Sequence, residues 1–249
     1  MDKGIIYYTH NKLREDSLFY AVQEQIKKSG LPIVSCSLKP INFGKNFILN
    51  KKPGIISYFT QIYTALKNSP NKYVFFCEHD VFYHPSHFEF NPPTDDHFYY
   101  NTNVWKWYFY SDTVTTYDDL MSVSGVCANR ELALKFYEKH LKIIFERGYD
   151  KIPTYGNPLW ARKMGYEPGK ANEEGEKATR VAWRSKYPNI DVRHTRNITP
   201  PKMKFKDFRK KPTNWVESTI DKIPGWDITY LKNLRPEINV PSRNAPHII

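Results

Sequence analysis

The sequence predicts one α/β domain on a mostly parallel central sheet flanked by helices, and three observations carry that prediction. A β-α-β pattern opens the chain. An apolar run at residues 73–77 reads as a strand buried on both faces. The chain's 249 residues suffice for one substantial core.

Taken in order, residues 4–9 (Gly-Ile-Ile-Tyr-Tyr-Thr) form a first strand, and His10-Asn11 begin a polar turn. Leu18, Phe19, Val22 and Ile26 recur at helical spacing over residues 16–29, and Gly30 supplies a C-terminal cap. Residues 32–38 are a second strand, so the opening predicts a parallel pair with a right-handed crossover. Residues 39–52 read as a loop. Within it, Phe43-Gly44-Lys45-Asn46 brings one Gly beside one Lys, which suits either a diphosphate contact at Lys45 or an ordinary turn. Pro53 suits the first turn of a helix whose apolar stripe includes Ile55, Phe59, Ile62 and Leu66.

The stretch 73–77 (Tyr-Val-Phe-Phe-Cys) follows, and Glu78-His79-Asp80 ends it. Strands of an open α/β sheet bind ligands at their carboxyl ends. Two carboxylates one residue apart repel each other unless a cation lies between them, and a divalent ion is the usual solution. The competing reading is a surface turn with two solvated acids. Residues 97–110 read as one or two strands with Trp105 and Trp107 on one face. Residues 120–128 read as another strand, and Asn129 caps a well-buried helix through about residue 147. Residues 148–175 are rich in Gly, Pro and charge, and residues 170–177 suggest a mobile loop. A last strand, Asn-Ile-Asp-Val-Arg-His, ends at His194. Residues 201–249 are expected as a basic, irregular extension packing on or near the active site of a domain spanning 1–200.

Composition narrows the function. The formal net charge is +11 and 16% of residues are aromatic. Such a chain is drawn to polyanions, although a solvated basic surface would show the same charge. Eleven Lys and Arg lie between residues 180 and 211, against Asp191 and Asp207, with Trp183 and Trp215 bracketing them. This fits a nucleic-acid track, or a pyrophosphate clamp followed by a solvated tail. Cys36, Cys77 and Cys127 lie in apolar runs with no CxxC pair, as expected of reduced cytoplasmic thiols. No apolar run is long enough to span a bilayer, and no leader is evident. The spacing of His79, His84 and His87 is not that of a zinc hydrolase, so His84 and His87 are expected as hydrogen-bonding loop residues. No nucleophile elbow, GxGxxG or P-loop is present.

With these residues in hand, the chain resembles the GT-A class of nucleotide-sugar glycosyltransferases, which have a Rossmann-like sheet. The resemblance rests on residues 4–9 with their polar loop, the strand ending in Glu78-His79-Asp80, and the strand ending at His194. The segment Glu-His-Asp-Val-Phe-Tyr-His-Pro-Ser-His-Phe, paired with Asn-Ile-Asp-Val-Arg-His, is also similar to glycosyltransferase-like proteins of phages and bacteria. The resemblance implies a Mn²⁺ or Mg²⁺ ion held by Asp80, Glu78 and His194, with a nucleoside-diphosphate sugar such as a UDP-sugar bound through that ion. Asp80 is expected as the direct ligand, since Glu78 replaces the usual first Asp and reaches further, through water or to the ribose. Thr9 and Asn11 would contact the nucleoside, and Arg193 or Arg196 would stabilise the leaving group. If the enzyme inverts, Glu173, Glu174, Asp118 and Asp119 are candidates for the base that deprotonates the acceptor hydroxyl; a retaining enzyme needs no base in that position. The expected acceptor is a hydroxymethylated pyrimidine in DNA, as in phage DNA modification. The alternatives are a lipid-linked or envelope saccharide, and a non-enzymatic basic nucleic-acid-binding protein.

Overall fold

A computed structural model describes residues 2–13, 16–152, 158–173, 175–194, 197 and 202–235. Strand β1 (Lys3–Thr9) leads through helix α1 (Asp16–Lys27) to β2 (Ile33–Ser37), and β3 (Lys45–Ile48) adds an edge beside β2. Helix α2 (Ile55–Asn68) returns the chain to β4 (Tyr73–Glu78), which pairs with β1 in parallel. After a two-residue turn come β5 (Val81–Phe82), the short helix α3 (Pro85–Phe88), β6 (Phe98–Asn101), β7 (Val104–Tyr108) and β8 (Thr113–Thr116). The chain continues with β9 (Val126–Asn129), α4 (Arg130–Glu146), α5 (Leu159–Met164), β10 (Arg180–Trp183) and β11 (Asn189–Arg193). Strand β12 (Val216–Thr219) and helix α6 (Ile228–Asn233) complete it.

These strands form two sheets. The larger has seven strands in the order β10-β6-β9-β4-β1-β2-β3, and β9 alone runs against the rest. The second has five in the order β12-β8-β7-β11-β5, mostly antiparallel, with β7 and β11 parallel. The architecture is therefore mixed α/β, and the second sheet corrects the expectation of a single mostly parallel one.

Burial on both faces explains why β1 and β4 read as unbroken apolar runs. Ile5, Tyr7, Phe75 and Cys77 point into one core with α1 and the second sheet. Ile6, Tyr8, Val74 and Phe76 point into another with α2 and α4. Strands sandwiched in this way need no polar face. The second sheet is one-sided: Trp107, Val114, Ile190 and Val192 are fully buried in the first core. Trp105 and Trp107 do share a face, as their spacing predicts.

Several local expectations change. Residues 39–52 contain β3, whose exposed ends and short length leave it no apolar pattern. Pro53 lies just outside α2, and Gly54 is the N-cap. Only the last residues of 120–128 are extended, because a 3₁₀ turn (Val123–Gly125) precedes β9. Residues 97–110 supply two strands, one to each sheet. Asn129 caps α4 as expected, accepting from the Glu131 and Leu132 amides. The C-terminal segment is not irregular: β12 pairs with β8, and Ile220, Ile223 and Leu231 belong to the first core.

His87 generates a stability prediction. It is wholly buried, and Asn101 and Asn189 both turn amide NH₂ groups to its Nδ1, at 3.0 and 3.2 Å. Their orientation is fixed, since backbone N–H groups of Asn103, Ser185 and His84 occupy the amide oxygens. Nδ1 must therefore accept, and the ring is neutral. Burial pushes its pKa down from 6.5 to about 3. The unfolded chain takes up this proton first, so stability falls as pH drops from 6.5 toward 3, at no more than ~1.4 kcal/mol per pH unit. His87→Asn keeps an acceptor without the titration, and its unfolding free energy should fall less steeply over that window. Identical acid limbs in urea titrations of the two proteins would rule this out.

Candidate active site

The carboxyl ends of β1 and β4 and the end of β11 meet around residues 78–80. Glu78 closes β4 opposite Tyr8, whose hydroxyl donates to Oε1 at 2.9 Å. The chain then turns and enters the second sheet, where β5 pairs with β11. The Asp80 carbonyl accepts from the Val192 amide at 2.9 Å, which fixes the turn against β11. Asp80 Oδ2 accepts from Asn197 Nδ2 at 2.8 Å and lies 3.2 Å from His194 Nε2. Asn197 in turn accepts the His194 amide through Oδ1, at 2.6 Å, so one side chain orients both residues.

His79, Asp80 and His194 are all buried, and one potential ligand atom from each lies within 4.8 Å of the others. Asp80 Oδ1 and both ring nitrogens of His79 make no well-formed hydrogen bond. The Tyr8 backbone only slightly favours the protonated imidazole of His79. Buried polar atoms are ordinarily satisfied, so unspent donor atoms around one point are what a missing cation would account for. The residues present therefore fit a divalent ion. Two imidazoles and one carboxylate suit Mn²⁺ and its transition-metal neighbours better than Mg²⁺, which prefers oxygen.

The electrostatics separate the two acids. Burial, then the Asp80 charge, pushes Glu78 up to about 8, and the Tyr8 hydrogen bond only partly offsets this. Burial also opposes ionisation of Asp80, but the neighbouring His79, His194 and Arg193 outweigh it and hold its carboxyl below the usual range. Burial lowers His79. His10, whose ring lies 4.7 Å from that of His79, falls to about 4, through burial first and then His79.

Other residues singled out in the sequence fall in different places. Thr9 is buried at the cleft, and its Oγ1 accepts from the Asn11 amide. Asn11 has a positive φ of 54°, and its Oδ1 accepts the Leu38 and Lys39 amides, tying the β1 loop to the β2 loop. Lys45 begins β3 opposite Val34, at the end of the strands away from Asp80, with its ammonium over Phe47. Arg193 lines the cleft and pairs with Asp191 at 3.3 Å. Glu173 is exposed, 3.7 Å from Lys163. Asp118 is bonded to Asn214, whereas Asp119 lines the cleft. Glu174 and Arg196 lie outside the described residues.

The sequence reading set His79 aside, placed His10 only in the polar loop after the first strand, and did not single out Asn197 or Lys106. The signal for His79 was its position between the two acids.

The cleft itself measures ≈ 540 Å³, a normal size for a small-molecule site. The ends of β1 and β4 form one wall and the N-terminus of α2 another. Lys106 and Arg193 of the second sheet, Tyr117 just after β8, and Lys202 and Phe208 of the C-terminal segment complete the lining.

No protein-family model matches this sequence, and no curated protein does. Among solved structures, the glycosyltransferase GlyE of Streptococcus pneumoniae TIGR4 aligns with 8% identity and a TM-score of 0.36. The alignment covers 61% of this chain and 40% of that one, so this chain spans less than half of that enzyme's length. A likeness at that level carries no argument, and the reading below rests on the residues.

If the triad holds the ion, His79→Ala and His194→Ala should each weaken Mn²⁺ binding by at least ~10–100-fold, the loss typical even of an outer partner. Glu78→Gln should leave it nearly unchanged, because Glu78 stands outside the cluster and is engaged by Tyr8. Calorimetric titration of folded protein decides. Strong loss with Glu78→Gln and none with His79→Ala would restore the acid pair as the site.

Proposed function

We propose that this protein is a metal-dependent glycosyltransferase that moves a sugar from a nucleoside-diphosphate sugar to an acceptor hydroxyl. The observation that carries the reading is the cluster of His79, Asp80 and His194 at strand ends, with His79 and Asp80 lining a cleft that Lys106, Arg193 and Lys202 also line. Strand ends are where α/β folds bind nucleotides, and a metal beside cations is suited to a diphosphate.

In this reading His79, Asp80 and His194 hold the ion, and Mn²⁺ serves better than Mg²⁺. When bound, the ion supplies Lewis-acid neutralisation of the diphosphate. Asn197 keeps Asp80 and His194 in register for that task. Arg193 and Lys106 face the departing group from the second sheet and offset its growing charge. The bond between the sugar's anomeric carbon and the diphosphate oxygen breaks, and the oxygen keeps the electron pair. The acceptor oxygen forms the new bond and loses its proton. Asp119, the candidate base that lines the cleft, is the group we assign to receive it.

For the acceptor we infer an anionic polymer, with a hydroxymethylated pyrimidine in DNA as the specific reading. What supports it is the row Lys204, Lys206, Arg209 and Lys210, all exposed on the segment whose Lys202 and Phe208 line the cleft. Such a row can track a phosphate backbone past the mouth of the site.

Incubation with a panel of UDP- and GDP-sugars should release nucleotide in the presence of Mn²⁺, more slowly with Mg²⁺, and not at all in EDTA. Asp80→Asn should reduce that release by on the order of 100-fold or more, as loss of a metal ligand does. A folded protein that neither binds nor turns over any member of the panel would refute the enzymatic reading. For the acceptor, the triple variant K204E/K206E/K210E should bind DNA more weakly, with a salt dependence shallower by about two to three counterions. An unchanged slope removes these lysines from any DNA path.

A further inference from the structure

Strand alternation in β7 sends Trp105 and Trp107 toward the core and Lys106 into the cleft. Lys106 stands opposite Asp191 of β11, but Asp191 is engaged by Arg193 at 3.3 Å. The Lys106 ammonium donates to the Tyr117 hydroxyl at 2.6 Å and lies over the Tyr117 ring, 4.8 Å from its centroid. It is also 5.8 Å from the centroid of Phe208. The Lys202 ammonium lies 5.4 Å from that same centroid. Two cations thus share one ring. Among the described residues neither has a carboxylate within salt-bridge distance. Burial lowers Lys106 to about 8; Asp191 opposes this, while Arg193 and Lys202 add to it.

Two like charges held at one aromatic ring, Lys106 largely buried and Lys202 exposed, are unfavourable as they stand. An anion within reach of both ammonium groups would offset the repulsion. The tyrosine hydroxyl adds a further donor. Phosphate oxygens, arranged tetrahedrally about phosphorus, can meet donors from several directions, whereas those of a carboxylate lie in one plane.

We propose that Lys106, Lys202 and Tyr117, organised around Phe208, form a phosphoryl-binding subsite in the lining of the cleft that also holds His79 and Asp80. It rests on the reading of this cleft as the substrate site, but not on sugar transfer occurring there. The phosphoryl group belongs either to a nucleoside diphosphate donor or to a nucleic-acid acceptor.

The test is calorimetric binding of inorganic pyrophosphate to the full chain in EDTA, so that no metal contributes. Wild type should bind, and Lys106→Met and Lys202→Met should each weaken binding by roughly tenfold or more, the scale of a charge-assisted hydrogen bond. Lys204→Met, an exposed lysine two residues beyond Lys202, should not. Lys202 is itself exposed, so its variant keeps the fold even if Lys106→Met does not. Absence of wild-type binding, equal affinity in Lys202→Met, or an equal loss in Lys204→Met overturns the proposal. UDP and a short DNA oligonucleotide then locate the source. If the Met variants weaken UDP, the subsite holds the donor; if they weaken only the oligonucleotide, it holds the acceptor. Failure of the sugar-nucleotide assay leaves the pyrophosphate result intact, so the two proposals fall separately.

Discussion

The site depends on the chain leaving one sheet at Glu78 and entering another at Val81. Two residues make that passage, and the Val192 N–H to Asp80 C=O hydrogen bond locks it. A shift of either sheet would separate Asp80 from His194, because they are delivered by strands of different sheets. The cost is a carboxylate buried at the seam. Its partners come from the same seam: His194 ends β11, and Asn197 lies three residues beyond it. Buried charge is tolerated where such partners are preplaced.

The second sheet explains how one surface can be both core and cleft. Its inner residues fill the space between α1 and the large sheet, while Lys106, Asp191 and Arg193 alternate outward. The C-terminal segment has the same double use. Ile220, Ile223 and Leu231 complete the core, and Lys202 and Phe208 form part of the cleft wall. Truncating that segment would therefore change stability and the site together.

Legibility in the sequence followed locality. β1, β4 and α4 could be read because two-sided burial or a cap leaves a pattern within a few residues. Edge strands β3, β10 and β12 could not, since half-exposed strands mix polar and apolar residues without strict alternation. His194 was readable as the residue at a strand's end. His79 was not, for a physical reason. In an extended strand residues 78 and 80 share a face and 79 points away, so the acids look like the pair. The strand stops at Glu78, however, and the turn that follows breaks the alternation. That places His79 with Asp80 and leaves Glu78 to Tyr8.

The charge layout of the cleft follows from that turn. On the large-sheet side, Asp80 is ionised while Glu78 is driven toward its neutral form, which reduces the repulsion that two adjacent carboxylates would otherwise carry. The unspent donor atoms there would suit a cation. Elsewhere in the lining, Lys106 and Lys202 share the Phe208 ring, and among the described residues neither has a carboxylate within salt-bridge distance. Each group alone is electrostatically incomplete, and both contribute to the lining of one cleft of ≈ 540 Å³. In the proposed reading, a metal-bound phosphate ester would offer its cation to the acid and imidazoles and its oxygens to the ammonium groups. On that proposal the cleft would favour a phosphate-bearing substrate over a neutral saccharide, because only the former carries charge to match both groups of side chains.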